Sequence, residues 1–350
     1  MSNKKKNLLS FQLDVSDFLP ANEEEKQSLV VMRESVSFWR DGLRRFRKNK
    51  IGMISLVVII LIMIFAFVLP EFYPYSYEQQ IRGSENLAPM QYSEEELARI
   101  AAGEKVFPHF LGTDLLGRDQ TVRLMMGTRI SLIVGIVASV LVLLIGSFYG
   151  TIAGYFGGKV DLVMMRIVDI IYTVPDILII ILLMVTLKYP LKNLAETNPS
   201  FAWIDTIGVG LICIFIVFCL LYWVGMARIV RSQILSIKEQ EFVTAAKALG
   251  ASHSRIIRKH LLTNVMGTLI VTTTLQIPSS IFTESFLSFI GIGVAAPMPS
   301  LGSMASLAID GIYSYPYRLL APAIMISLII LSFNLLGDAL RDAFDPKLKN

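Results

Sequence analysis

The sequence predicts an all-α polytopic membrane protein crossed by six helices, and three observations carry that prediction. Hydrophobic residues make up 54% of the 350 residues and charged residues only 17%, whereas a soluble protein is about 25% charged. The charges are clumped, leaving uncharged runs that reach the roughly 20 residues a bilayer-crossing helix needs. Lys and Arg are also divided unevenly, with 23 of the 32 falling in one set of connecting segments. Too few charges remain to tile a water-exposed surface, which excludes ordinary globular, disordered and collagen-like classes.

Residues 1–50 read as a cytoplasmic tail that ends in an amphipathic helix over 33–50. Trp39, Leu43 and Phe46 recur there at i, i+4 and i+7 among Arg40, Arg44, Arg45, Arg47 and Lys48. A generic basic anchor and an elbow helix bracing the bundle from the inner leaflet both fit this pattern. The first thirty residues are polar and expected to be loosely ordered. The first span is the uncharged run in 51–70, closed by Pro70. Because that run starts so deep in the chain, no cleavable leader is expected.

Segment 71–128 is an extracytoplasmic loop carrying nine acidic residues, including Glu94, Glu95 and Glu96. Residues 129–337 form a core of five further spans. No charge lies between Arg129 and Lys159, so the second span extends to about residue 154. The third is placed at 167–187 and carries Asp169 and Asp176; the fourth at 206–227, the fifth at 262–282, and the last between Arg318 and Asp338. Segment 226–264 is a cytoplasmic loop and 338–350 a cytoplasmic tail. Six crossings put both termini on one side, and the excess of Lys and Arg makes that side the cytoplasm.

Enzymatic constellations are missing. The histidines are His109, His253 and His260, and no His-Glu-x-x-His pair exists for a zinc hydrolase. Gly250 to Ser254 lacks the second glycine of a nucleophile elbow. Gly158-Lys159 has Ala153 where a phosphate loop needs its first glycine and Val160 where Ser or Thr would hold magnesium. Gly291, Gly293 and Ala296 match a dinucleotide fingerprint by letters, without the βαβ context that gives it meaning. Cys213 and Cys219 share one apolar run and suit packing rather than a disulfide or zinc cluster. The chain is expected to bind neither metal nor cofactor nor nucleic acid.

Acids at membrane depth are functional candidates by default. Asp169 lies three residues past Arg166, where a structural i, i+3 pair competes with ion coupling. Asp176 sits deeper, directly after Pro175. Glu284 is 22 residues past Leu262, roughly 33 Å of helix, and is expected to emerge at the outer surface.

The cytoplasmic loop is the most informative stretch. Glu241 favours a helix N-terminus, Ala245 and Ala246 favour helix and close packing, and Gly250 is placed to stop the helix as a C′ glycine. A second helix restarts after Ala251 and feeds the fifth span. A short helix across the inner face, with small residues outward, is shaped to enter a groove in a partner, although a purely structural interfacial helix also fits.

The spacing Glu241-x-x-x-Ala245-Ala246-x-x-x-Gly250 resembles the Glu-Ala-Ala loop of ABC importer permeases. Further stretches resemble the C-type permease of oligopeptide and dipeptide importers: Thr113-Asp114-x-x-Gly117-Arg118-Asp119, Gly127-x-Arg129-x-Ser131-Leu132, Gly150-x-x-x-Gly154-Tyr155, Arg166-x-x-Asp169, Glu284 to Gly293, and Gly337 to Pro346. The resemblance covers roughly residues 40–350. The family's Leu-Pro-Asn is here Leu262-Thr263-Asn264, a second common proline is Thr268, and a frequent tryptophan before Gly302 is Leu301; fewer prolines imply a straighter fifth helix. The insert 83–105 is longer than in many members.

The resemblance implies the type I ABC importer permease fold in a bacterial plasma membrane. It implies a B-type permease completing a heterodimer, two ABC ATPase subunits carrying ATP and Mg, an extracytoplasmic peptide-binding protein, and peptide as substrate. Glu241, Ala245, Ala246, Leu249, Gly250 and Ala251 would form the coupling helix that docks on an ATPase. Thr113, Asp114, Gly117, Arg118 and Asp119 would brace the outer loop, which either is a local scaffold or helps form the landing face for the binding protein. A related importer for nickel or another small solute is the alternative within the family. An ion-coupled secondary transporter using Asp169 and Asp176 is the rival outside it, and leaves the Glu-Ala-Ala helix unexplained.

Overall fold

The computed structural model describes residues 38–294 and 296–344, and among them no strand occurs. The first part of the amphipathic helix, the polar N-terminus, and Asp345 and Pro346 of the tail motif lie outside these residues. Among the described residues, six helices are long and apolar enough to cross a bilayer: Lys50–Phe72, Gln120–Phe156, Asp176–Thr197, Val209–Lys238, His253–Phe289 and Tyr317–Phe344.

Helix α1 (Phe38–Lys48) lies before the first span, and Phe46 packs on Ala339 and Ala343 at the end of the last helix. Trp39 meets Phe344 edge-on at 5.7 Å. The elbow thus clips the two termini of the described bundle together. Asn49 breaks α1 from α2 (Lys50–Phe67) by accepting the Gly52 N–H at 3.1 Å, an N-cap that satisfies one of the new helix's orphan donors.

Helix α3 (Glu94–Ala101) is a short helix in the outer loop, opened by a reciprocal capping box between Ser93 and Glu96. Helix α4 (Gln120–Phe156) follows this loop, with Asp119 as its N-cap. At 37 residues it is longer than the bilayer requires. Its outer end carries Arg129, which donates from Nε to the Ala66 carbonyl at 2.8 Å and from Nη2 to the Phe67 carbonyl at 3.2 Å and to Glu71 at 3.0 Å. A cation thereby closes the carbonyl end of α2, where both hydrogen bonding and the helix dipole favour it.

The third span departs from expectation. Instead of one helix over 167–187, α5 (Gly158–Thr173) ends before Val174, and α6 (Asp176–Thr197) starts a new helix. Pro175 causes the break: it lacks an N–H, and it forces Val174 into the extended region. Asp169 therefore lies on α5, outside the spanning helix. Its partner is Arg228 at 2.8 Å, not Arg166.

Helix α7 (Val209–Lys238) contains one wide π-type turn at Phe218–Tyr222. After the short helix α8 (Glu241–Ala248), α9 (His253–Phe289) runs unbroken past Thr263 and Asn264, with its own π-type turn at Ile256–Leu261. The missing proline leaves this helix continuous, but the wide turn keeps it from being uniform. Helix α10 (Leu301–Ala308) is short, and α11 (Tyr317–Phe344) closes the bundle.

Two large apolar clusters, among the described residues, hold most of these helices. One joins α4, α6, α7, α8 and α9 and includes Val142, Ile180, Phe218, Ile234, Val243 and Ile256; the other joins α2, α4, α9, α10 and α11 around Ile62, Leu132, Ile281 and Ile329. Gly146, Gly150 and Gly154 recur every fourth residue of α4 and face α7. A side chain there would overlap Met226, the Ala227 carbonyl and Ile234 respectively. In lipid, where burial gives no hydrophobic gain between helices, such small-residue faces let backbones approach closely enough for dispersion to hold them. Introducing Gly150→Leu should thus overfill the contact and cost about 1–3 kcal/mol. The expected outcome is a lower melting temperature and lower yield in detergent, while Leu144→Val on the exposed side of the same helix leaves both unchanged.

Candidate functional site

Helix α8 is built as its sequence requires, with one face turned differently. Gly250 adopts φ +77, and the N–H groups of Gly250 and Ala251 donate to the carbonyls of Lys247 at 2.9 Å and Ala246 at 3.0 Å. This pair of bonds is the Schellman ending that a C′ glycine permits. Ser252 then caps the next helix by accepting from the Arg255 N–H.

Val243 and Ala246 face inward and are buried, whereas Glu241, Phe242, Ala245 and Gly250 are exposed and Leu249 is 88% exposed. The two alanines thus do opposite things: Ala246 lets α8 lie close to its own bundle, and Ala245 belongs to the free face. Leu249 and Phe242 put large apolar groups on that face next to the small ones. Ala251 is half-buried and packs against the cluster that holds Ile256.

The helix is fixed to the inner ends of α4 and α7. Lys238 donates to the Gly154 carbonyl at 3.0 Å, and the Tyr155 hydroxyl bonds His253 Nδ1 at 2.6 Å. Lys247 lies over the Tyr155 ring at 6.0 Å. The Gly-Tyr end of α4 therefore holds both sides of the loop 226–264, a role that sequence reading gave to none of these side chains. Arg231 makes a bidentate pair with Asp161, whose carboxyl this guanidinium holds below its ordinary range.

The outer loop is a folded cap. Thr113, Asp114, Arg118 and Asp119 are all buried. Asp114 accepts from Arg118 at 2.7 Å and lies 3.6 Å from Arg123. Thr113 Oγ1 accepts the Leu87 N–H at 2.9 Å and donates to the Ser84 carbonyl. Gly117 takes φ +68 where a side chain would strike the Ile81 carbonyl. These motif side chains knit the cap rather than present themselves outside.

At its centre His109 is wholly buried between Asp119, 2.7 Å from Nδ1, and Glu96, 3.1 Å from Nε2. Tyr75 stacks on the ring at 4.5 Å. Sequence reading missed this triad because its members come from three separate loop segments with no shared spacing. The insert 83–105 supplies Ser84, Leu87 and Glu96 to these bonds, and Asn86 accepts from Arg318 at 2.8 Å. Deleting it would strip partners from buried polar groups, so it is an integral part of the cap.

Glu284 does not emerge at the surface. It is fully buried, accepting from Ser131 at 2.7 Å, Ser288 at 2.8 Å and Ser285 at 3.3 Å. Ser131 in turn receives the Leu301 N–H and Ser288 the Val294 N–H. One carboxyl group thus ties α4 and α9 to the segment leading into α10.

Comparison with known proteins agrees with this architecture. Residues 146–350 match the family described as the binding-protein-dependent transport system inner membrane component. Residues 37–89 match the N-terminal TM domain of oligopeptide transport permease C. The chain is 41% identical over 332 residues to the oligopeptide transport system permease protein OppC of Bacillus subtilis, covering 95% of this chain and 97% of that one. It is 41% identical over 333 residues to the dipeptide transport system permease protein DppC of the same organism, covering 95% and 93%. OppC of Haemophilus influenzae is 39% identical over 314 residues, 90% of each chain.

The buried triad makes the cap sensitive to pH. Burial opposes a charge on His109, but Asp119 and Glu96 outweigh it, and its pKa is raised above the ordinary 6.5. A raised histidine pKa gives stability that is complete below the unfolded value and is lost as pH rises through the folded one. Proteolysis of the cap should therefore quicken as pH rises above the ordinary histidine value of 6.5. The variant His109→Gln, which cannot titrate, should be less stable at low pH and show a flatter profile.

Proposed function

Because the chain belongs to the binding-protein-dependent transport system inner membrane component family, we propose that it is the C-type permease subunit of an ATP-driven importer of oligopeptides or dipeptides. The observation that carries this reading is the conjunction of that likeness along nearly the whole chain with the exposed, firmly anchored helix α8. In the working importer the chain supplies half of the translocation path, a B-type permease the other half, and two separate ATPases bind ATP and Mg. An extracytoplasmic binding protein delivers the peptide onto the outer side, where the cap formed by 71–128 offers a rigid surface. Both termini and the loop 226–264 face the cytoplasm of a bacterial cell.

In this reading α8 enters a groove on an ATPase. Glu241, Phe242, Ala245 and Leu249 form the docking face, Gly250 and Ala251 hold its end, and Ala246 sets its distance from the bundle. Motion of the ATPases then passes to the spans through the clamp of Lys238, Tyr155 and His253. The ion-coupled alternative has less support, since Asp169 is engaged by Arg228. Nothing in the fold favours nickel over peptide.

Two experiments test the proposal. Impermeant thiol labelling of intact cells, on a background lacking Cys213 and Cys219, should modify Gln79→Cys and spare Ser254→Cys; both positions are exposed. The reverse pattern would invert the topology. For coupling, Leu249→Asp removes the apolar tip, and Gly250→Ile forces a side chain into positive φ at about 1–2 kcal/mol. Each should reduce co-purification of the ATPases and ATP-dependent peptide uptake in vesicles without unfolding the bundle. Normal uptake with ATPases bound in both variants would remove α8 as the coupling element.

A further inference from the structure

The break between α5 and α6 faces the wide turn of α7 across a cavity of about 460 Å³, lined among others by Tyr172, Asp176, Ile179, Tyr222 and Gly225. That volume is within the range of small-molecule sites. Of the three acids on this stretch, the two nearer the cytoplasm are engaged, Asp161 by Arg231 and Asp169 by Arg228. Asp176 is exposed, and one oxygen accepts the Ile177 N–H at 2.9 Å. Among the described residues it forms no ion pair. Arg228 is held away from it by Asp169 and by the Tyr172 ring, 4.3 Å below the guanidinium.

Position makes this carboxylate informative. Asp176 is the first residue of the spanning helix α6, and Tyr222, which shares its cavity, lies six residues before Arg228, the first charge on α7. The eleven residues after Asp176 are all uncharged. An unpaired carboxylate at the end of the spanning segment, turned to an open cavity rather than to a cation, marks a functional surface. Two tyrosine rings border the same space, and ring faces attract cations. The Tyr222 hydroxyl lies 3.3 Å from Thr283 on α9, which fixes the orientation of that ring. A carboxylate flanked by aromatic rings in an open cavity is a receptor for an ammonium group.

We propose that Asp176, with Tyr172 and Tyr222, forms a station on the translocation path for a positively charged amino group of the passing peptide. The inference rests on the peptide-import reading and adds to it the chemistry by which this subunit handles its cargo. Gly225 forms an open part of the wall, where an added Cβ would meet no atom within 4 Å. The cavity can therefore be narrowed from that side without disturbing the carboxylate.

The test is uptake of a free-amine peptide by the complete complex in vesicles: both permeases, both ATPases and the binding protein. Asp176→Asn should lower uptake about ten-fold, as expected when a charge-assisted contact is lost. Asp176→Glu should restore most of it, and the ATPases and the partner permease should remain bound throughout. Gly225→Leu should lower uptake as well by filling the cavity. Full uptake by Asp176→Asn, or equal loss in Asp176→Asn and Asp176→Glu, would overturn the proposal. Loss of the partner permease from the Asp176→Asn complex would do so too, by assigning the residue to the subunit contact. A wild-type complex that imports no peptide at all would instead refute the import reading beneath it, a result distinguishable from each of these.

Discussion

Everything at the α8 end of the bundle depends on how closely α4 and α7 approach. Their contact is made by three glycines, and in a bilayer the gain from such a contact comes from dispersion between atoms that would otherwise touch lipid tails. Because the backbones lie so near, the Gly154 carbonyl is within reach of Lys238, and Tyr155 arrives beside His253. Were the helices held apart by side chains, neither bond would span the gap, and α8 would have no fixed seat. The orientation of an exposed helix at the inner face is thus decided inside the bundle.

Polar groups supply specificity where apolar packing cannot. Glu284 and His109 are both removed from solvent, a costly position for an ionisable group unless its hydrogen-bonding capacity is met. Glu284 is met by three hydroxyls, two of which accept backbone N–H groups in turn, from Leu301 at the start of α10 and from Val294 ahead of it. His109 is met by two acids that also open helices, Glu96 in the α3 capping box and Asp119 at the start of α4. In each case one side chain satisfies a local ending and a distant segment at once. Apolar side chains alone would permit several registers of helix against helix, and these networks accept one.

Much of this was legible in the sequence. Uncharged runs and the division of Lys and Arg mark the spans, and Gly250 marks the end of α8, because each depends on local composition or on a single backbone requirement. The third span was misplaced because hydropathy does not register a helix break; Pro175 carried the signal, through its effect on Val174. Asp169 was matched to the nearest base in sequence, whereas the fold offers Arg228, 59 residues away. The buried triad in the cap and the seat of Glu284 joined residues from segments that share no period. Such pairings exist only once the chain has folded, which also explains why Ala245 and Ala246, adjacent and identical, serve opposite faces.

The wide turns in α7 and α9 have a geometric effect beyond their own few bonds. Each adds one residue to a helical turn, and one residue corresponds to roughly 100° of rotation about the axis. The stripe that a helix shows its neighbours below the turn is therefore offset from the stripe above it. In α7 the portion above Phe218 and the portion below Tyr222 present different bearings although the axis continues. A seven-residue or eleven-residue phase read from one half fails in the other. The same rod can consequently address two unlike surroundings, one at each end, without a joint between them.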